Sequence, residues 1–175
     1  MCAEPMSETL KMSAVCGLFC PGCMIYIAAH ETPEYRQRVA DLRGQPVEEL
    51  QCEGCRSSQR YKYCATCKMY TCAAGKGLNF CGECDQYPCA DLREFQAARP
   101  HRLELWQSQQ RIREVGAEQW FTEMQAHFAC PQCGTLNSAY NLTCRQCGAA
   151  PASEYNRQHK VEIEAYLTQQ RTARK

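Results

Sequence analysis

The sequence is poor in the features that mark most enzyme and membrane classes. It has no glycine-rich phosphate loop, no nucleophile elbow and no His-Glu-x2-His pair, which removes the usual signatures of nucleotide binding, acyl transfer and zinc proteolysis. No alternating strand–helix pattern runs along it, so a doubly wound sheet or a βα barrel is not expected. Neither sign of charge dominates: the formal net charge is +1, and the total steers the chain toward neither nucleic acid nor acidic lipid. From Cys130 onward six Lys/Arg face three Glu, against nine and ten acidic residues in the first ninety positions. That mildly basic tail reads as a solvated face. The stretch Met12 to Ala29 has no charged residue, but Gly17, Pro21, Gly22 and three cysteines interrupt it, so it is not a membrane span. Glu4, Glu8 and a single Lys ahead of it make a poor signal sequence, and Val15 before Cys16 does not suit a lipoprotein cleavage site. The expectation is a cytoplasmic protein with no membrane association.

What the chain does have is sixteen cysteines in 175 residues. Eleven lie between Cys16 and Cys89, as Cys16-x3-Cys20-x2-Cys23, Cys52-x2-Cys55, Cys64-x2-Cys67, Cys72, Cys81-x2-Cys84 and Cys89. Cys130-x2-Cys133 and Cys144-x2-Cys147 stand apart near the C-terminus, and Cys2 reads as an incidental thiol. Six of the pairs are C-x2-C. Two cysteines at that spacing form a chelate arm that presents both thiolates to one ion. A disulfide between them would close a tiny loop and constrain the unfolded chain little. The pattern therefore predicts metal binding in a reducing compartment.

The predicted fold is small, metal-stapled and mostly α, with irregular cysteine-rich loops and a C-terminal zinc ribbon. Four segments are expected: a cysteine-rich metal-binding module over 14–90, a helical segment over 91–128, the ribbon over 129–150 and a final helix over 153–174. Residues 1–13 read as a frayed polar start. Met24 to Ala29 is a short apolar helix. Thr32 and Pro33 open a second helix that runs to about Leu42, and Pro46 to Leu50 is one short turn. Residues 52–89 have no sustained period and too few apolar residues to fold without metal. Each structural zinc contributes about 10–16 kcal/mol of apparent binding energy, which can substitute for a core. Leu92, Phe95, Leu103, Trp106, Ile112, Val115, Trp120, Phe121 and Met124 recur at helical steps, broken near Pro100 and Gly116; this stripe reads as core. Ser153 caps the last helix, whose Tyr155, His159, Ile163 and Leu167 share a face expected to dock on the body.

The chemistry sits in the cysteines. Cys130-Pro-Gln-Cys133-Gly134 and Cys144-Arg-Gln-Cys147-Gly148 form two knuckles, each with a glycine at the tight turn. Four thiolates close a tetrahedron, so this site reads as structural zinc. The motif is similar to a zinc ribbon and to the Ran-binding-protein type of zinc finger: Phe128 stands at the family's Trp, and Asn137 on its Asn. That resemblance implies single-stranded RNA or ubiquitin as partner. Thr135-Leu136 stands where ubiquitin binders carry Thr-Phe, and Arg145 and Tyr140 are the only candidates for the RNA binders' arginines and stacking aromatic. Cys16, Cys20 and Cys23 have the spacing of radical S-adenosylmethionine enzymes. Gly22 replaces the aromatic those enzymes place before the third cysteine, and no barrel follows.

Cys16-Gly-Leu-x-Cys20-x2-Cys23, Cys52-Glu-Gly-Cys55, Cys64-x2-Cys67-x4-Cys72 and Cys81-Gly-Glu-Cys84-x2-Tyr-Pro-Cys89 together resemble the prokaryotic family called domain of unknown function 3795, over residues 14 to about 95. The resemblance implies a cysteine-rich, metal-binding module and no established activity. One ligand partition puts Cys52, Cys55, Cys64 and Cys67 on one ion and Cys72, Cys81, Cys84 and Cys89 on another. Cys16, Cys20 and Cys23 then lack a fourth ligand, which His30, Cys2 or solvent would supply; crossed pairings remain equally allowed. Three to four zinc ions are expected, with a [4Fe–4S] cluster at Cys16, Cys20 and Cys23 as the alternative. The primary functional expectation is a zinc-binding, non-catalytic interaction module with a protein partner. The alternatives are an iron–sulfur or thiolate–metal redox or transfer protein at the Cys16 site, and, less favoured, single-stranded nucleic-acid binding through the ribbon and the basic, tyrosine-bearing loop from Arg56 to Lys76.

Overall fold

The computed structural model describes residues 6–173; Cys2 and Arg174 lie outside them. The expected frayed start holds a helix instead, α1 (Glu8–Met12), because Ser7 Oγ accepts from the Leu10 amide. Leu10 and Met12 then pack on the main aromatic core. A 3-10 turn at Cys20–Gly22 leads into α2 (Met24–His30). In α3 (Pro33–Arg43), Thr32 caps and Pro33 opens the first turn as predicted, and Gly44 closes it at φ 63°. The short turn near Pro46 is a 3-10 turn at Val47–Glu49.

Residues 52–89 are less irregular than their sequence suggests. They contain α4 (Lys62–Ala65) and α5 (Lys68–Gly75). The second buries Met69 and Ala73, too short a stripe to register as a period. After α6 (Ala90–Ala97) comes a turn at Pro100–Arg102 and the long α7 (Leu105–Phe128), kinked at Gly116, where φ 81° and ψ 165° are not helical. Both predicted breaks are present. Ser153 caps α8 (Glu154–Gln158) by accepting from the Asn156 amide. The predicted single terminal helix divides there, however, and α9 (Lys160–Thr172) starts anew after His159. At the division the His159 ring reaches Glu104 at 2.7 Å, and Tyr155 donates its hydroxyl to Pro100 O at 2.5 Å. Among the described residues extended pairing is limited to isolated bridges, Ser13 with Phe19 and Ala129 with Leu136. No helix there is long and apolar enough to cross a membrane.

The four expected segments share one core. Phe19 from the cysteine-rich region packs edge-on against Trp120 and Phe121 of α7, with ring centroids 6.4 and 5.0 Å away. Phe128 stacks on Tyr155 of α8 at 4.8 Å. Ala139, between the two C-terminal cysteine pairs, and Ile163 of α9 join the same cluster. The terminal helices thus dock, as expected, and the aromatic stripe is core. Gly22 is required by this packing: a Cβ there would lie 2.7 Å from the Phe128 ring.

Glu104 at the start of α7 accepts from His127 at 3.0 Å as well as from His159. Burial raises its carboxyl pKa, but the two imidazoles outweigh that and hold it below the usual range. Nearby, His101 Nε2 accepts from Arg102 at 3.2 Å, so the neutral ring's proton sits on Nδ1, facing Tyr140 Oη at 2.5 Å. Burial, then the charges of Arg102 and Arg99, hold His101 down at about 3. An unfolded histidine titrates at about 6.5. This contribution to stability is therefore full above that pH and is lost as pH falls toward the folded value, by about 2 kcal/mol at pH 5. His101→Gln should flatten this part of the acid limb in urea unfolding at pH 7 and 5; an unchanged pH dependence would show that His101 does not carry it.

Candidate metal centre

The C-terminal site is built by two copies of one local device. Cys130 N–H donates to Thr135 O and Gly134 N–H to Cys130 O, both at 2.9 Å. In the second arm Cys144 N–H donates to Ala149 O at 2.7 Å and Gly148 N–H to Cys144 O at 3.0 Å. Each turn needs a left-handed residue, and Gly134 and Gly148 supply it at φ 74° and 75°. The folded arms face one another, and their four sulfurs all lie within 4.8 Å of each other. Cys130 and Cys147 are 3.7 Å apart, and Cys133 and Cys144 are 3.6 Å apart. A disulfide would need about 2.05 Å. Four thiolates at about 2.3 Å from one zinc stand about 3.8 Å apart along each tetrahedral edge, so the observed spacings fit a single ion.

The electrostatics ask for a cation. Burial opposes ionisation of Cys144, yet backbone N–H groups of Cys147 and Gln146 and the Asn137 amide outweigh it and bring the thiol down to about 6. Cys147 is pushed the other way, to about 12. A backbone hydrogen bond at Ala149 favours its thiolate, but sharing a proton with Cys133, Cys130 and Cys144 wins. Thiolates this close cannot all ionise without a positive charge among them. Asn137, fully buried, ties the arms together. Its Nδ2 donates to Thr135 O at 2.9 Å, to Ala152 O at 3.0 Å and to Cys144 Sγ at 3.6 Å, while its Oδ1 accepts from Arg145 N at 3.0 Å.

The N-terminal cysteines are gathered differently. Cys16 is buried between Val15 and Gly17, and Cys81 N–H donates to Val15 O at 2.7 Å. Gln109, fully buried on α7, bridges the two loops: its Nε2 donates to Val15 O at 3.0 Å and its Oε1 accepts from Gly82 N at 2.8 Å. Gly17 and Gly82 leave room for that side chain; a Cβ would meet it at 3.0 and 2.5 Å. Cys55 is brought to the same place by Arg56, whose Nε donates to Ser13 O at 3.0 Å. Cys55, Cys67 and Cys81 pack with Cys16, Cys20 and Leu105 in one apolar cluster. Cys52 and Cys64 pack in another, around Ile25, Leu50 and Tyr61. Cys23 precedes α2 beside that second cluster, and its own thiol feels the Cys52 charge. Cys72 and Cys89 are exposed, and Lys76 Nζ reaches Cys84 Sγ at 3.2 Å. Among the described residues Cys130, Cys133, Cys144 and Cys147 are the one group of three or more ligand atoms mutually within 4.8 Å.

His30 points elsewhere, with Nδ1 at Tyr26 O (2.9 Å) and Nε2 at Glu53 (3.2 Å). Asn137 stands at the position that the four-cysteine motif marks, and Lys76 ends the basic loop noted in the sequence; Gln109 was not singled out, since it lies in a polar stretch, Gln107-Ser108-Gln109-Gln110, where nothing local marks the buried member. No curated protein and no solved structure matches the chain. Residues 12–94, which hold every cysteine of this N-terminal group, match the family described as protein of unknown function (DUF3795).

Proposed function

We propose that the chain is a metal-stapled, non-catalytic interaction module whose C-terminal ribbon holds one zinc ion. The observation that carries this reading is the set of four sulfurs within 4.8 Å of one another, two pairs of them at tetrahedral-edge separations of 3.7 and 3.6 Å. Four thiolates fill zinc's coordination and leave no position for water or substrate, the arrangement of structural sites. The neighbouring polar side chains are consistent with it, because they serve the chain itself. Arg145 pairs with Glu31 at 2.6 Å and donates to Leu136 O at 2.8 Å, and Tyr140 Oη lies on His101. Neither is presented for a nucleic-acid strand, so the proposed partner is a protein, met in a reducing compartment. Metal analysis of the full chain beside Cys130→Ser tests the site: the variant should hold one zinc fewer and lose near-UV dichroism from the Phe128–Tyr155 region. Equal zinc content in the two would sink the reading. A binding partner retained by the parent and lost by Cys130→Ser would extend it to function.

The second reading, a thiolate–metal redox or transfer module at the N-terminal cysteines, is favoured by one separate observation. Those thiols are gathered in apolar surroundings but not drawn together to single-ion distances.

A further inference from the structure

Gly116 divides the chain at a place where little would be cut. The cysteines from Cys16 to Cys89 all precede it, and the four C-terminal cysteines all follow it. The apolar clusters around Leu105 and around Leu50 are built wholly from residues before Gly116, and the small cluster at Cys130 wholly from residues after it. Among the described residues the aromatic core is the buried cluster that crosses, with Phe19 and Ile112 on one side and Trp120 and Tyr155 on the other.

The two arms of α7, before and after Gly116, face one another. Arg111 makes a bidentate pair with Glu123 at 2.8 and 2.7 Å, and Glu104 meets His127 at 3.0 Å. The first pair is centred on Ala117 and the second between Val115 and Gly116. Contacts centred on one point are those of an antiparallel helix pair, and two continuous helices crossing on a two-fold axis there make the same contacts between chains. Gly116 is exposed, and a Cβ on it would meet nothing within 4 Å. Its φ of 81° and ψ of 165° lie in a region essentially reserved to glycine. The flanking Arg113-Glu114 and Ala117-Glu118-Gln119 are strong helix formers, so a straight helix through position 116 is open to this sequence.

We propose that two copies of the chain exchange the part after Gly116 by straightening α7, giving a two-fold dimer in which each C-terminal half docks on the other copy's N-terminal module. The aromatic core is remade between copies, as are the Tyr155 bond to Pro100 O and the Arg145–Glu31 pair. The exchange alters the hinge and leaves every other contact in kind. Mass action sets the balance: the tethered, closed chain prevails when dilute and the dimer gains with concentration. The partner so defined is a second copy of the chain. No cysteine group is split, so the exchange does not depend on what the cysteines bind.

The test is the mass of the full chain, by light scattering after size exclusion over a range of concentrations. Gly116→Ala should tighten dimerisation by more than about 100-fold, because alanine is strained in the closed turn and favoured in a continuous helix. A variant with the parent's monomer–dimer balance would overturn the proposal. A second measurement leaves the hinge intact. Arg111→Glu and Glu123→Arg each set like charges opposite one another within the closed chain. When the two variants are refolded together at high concentration, exchange brings glutamate against arginine at both crossings, and native mass spectrometry should show heterodimer above its statistical share. Dimers of closed chains keep these pairs within each chain and would mix statistically. A statistical mixture, or no dimer at all, would overturn the exchange even where Gly116→Ala fails to fold.

Discussion

Cys144→Ser should release the ribbon's zinc and melt residues 129–152. Cys144 is buried, and its sulfur accepts from Asn137 while opposing Cys133 across the site. A structural zinc contributes about 10–16 kcal/mol of apparent binding energy, more than the net stability of most domains. Around the sulfurs there is little else: the local apolar cluster consists of Cys130, Cys144 and Ala152, with Ala149 packed against it, while Ala139 and its neighbours face the main core. Loss of one ligand should therefore lower zinc affinity, measured by chelator competition, by more than about 100-fold, beyond the 10–100-fold typical of an outer hydrogen bond. Asn137→Ala serves as the graded control. It removes the amide that joins the arms while keeping all four thiolates, so its loss should fall within that smaller range. If Cys144→Ser and Asn137→Ala weakened zinc equally, the sulfur at position 144 would not be a ligand.

Gln109→Ala is expected to destabilise the protein by about 2–5 kcal/mol. The substitution leaves Gly82 N–H buried without a partner, at about 1–3 kcal/mol, and takes from Val15 C=O one of its two donors, the Cys81 amide remaining. It also opens a void between Gly17 and Gly82, the glycines against which the side chain is wedged. The effect should extend beyond stability, because Val15 and Gly82 are the immediate neighbours of Cys16 and Cys81. Metal retention by the N-terminal module should fall while the ribbon's zinc is kept. Gln110→Ala is the matched control. Its side chain is exposed and reaches only Glu114, one turn along, so it should move the urea midpoint little. Equal midpoints for the two variants would show that the bridge does not hold the loops.

These two residues illustrate what the sequence could reveal. The C-terminal four-cysteine site was legible because its determinants are local: cysteine pairs, glycine after each pair, and ten residues between Cys133 and Cys144. Thr32, Pro33 and Ser153 marked helix starts for the same reason, and Pro100 and Gly116 marked breaks. What could not be read is set by contacts distant in sequence. Gln109 meets Val15 across 94 positions, and nothing distinguishes it from the exposed Gln107 and Gln110 beside it. The chelate-arm reading of C-x2-C holds for the ribbon but not for the packing of Cys52/Cys55 and Cys64/Cys67, whose members turn to different apolar clusters. Spacing within a pair does not say whether the chain between its two cysteines lies along one site or passes between two. The division of the final helix at His159 is likewise tertiary, since it coincides with the imidazole's bond to Glu104.

The central claim is that Cys130, Cys133, Cys144 and Cys147 hold one zinc in a closed tetrahedron, and X-ray absorption at the zinc edge tests it most directly. The account predicts a first shell of four sulfurs at about 2.3 Å, lost in Cys144→Ser; iron in the N-terminal module would be silent at this edge. A shell containing nitrogen or oxygen, or a zinc signal unchanged in that variant, would contradict it.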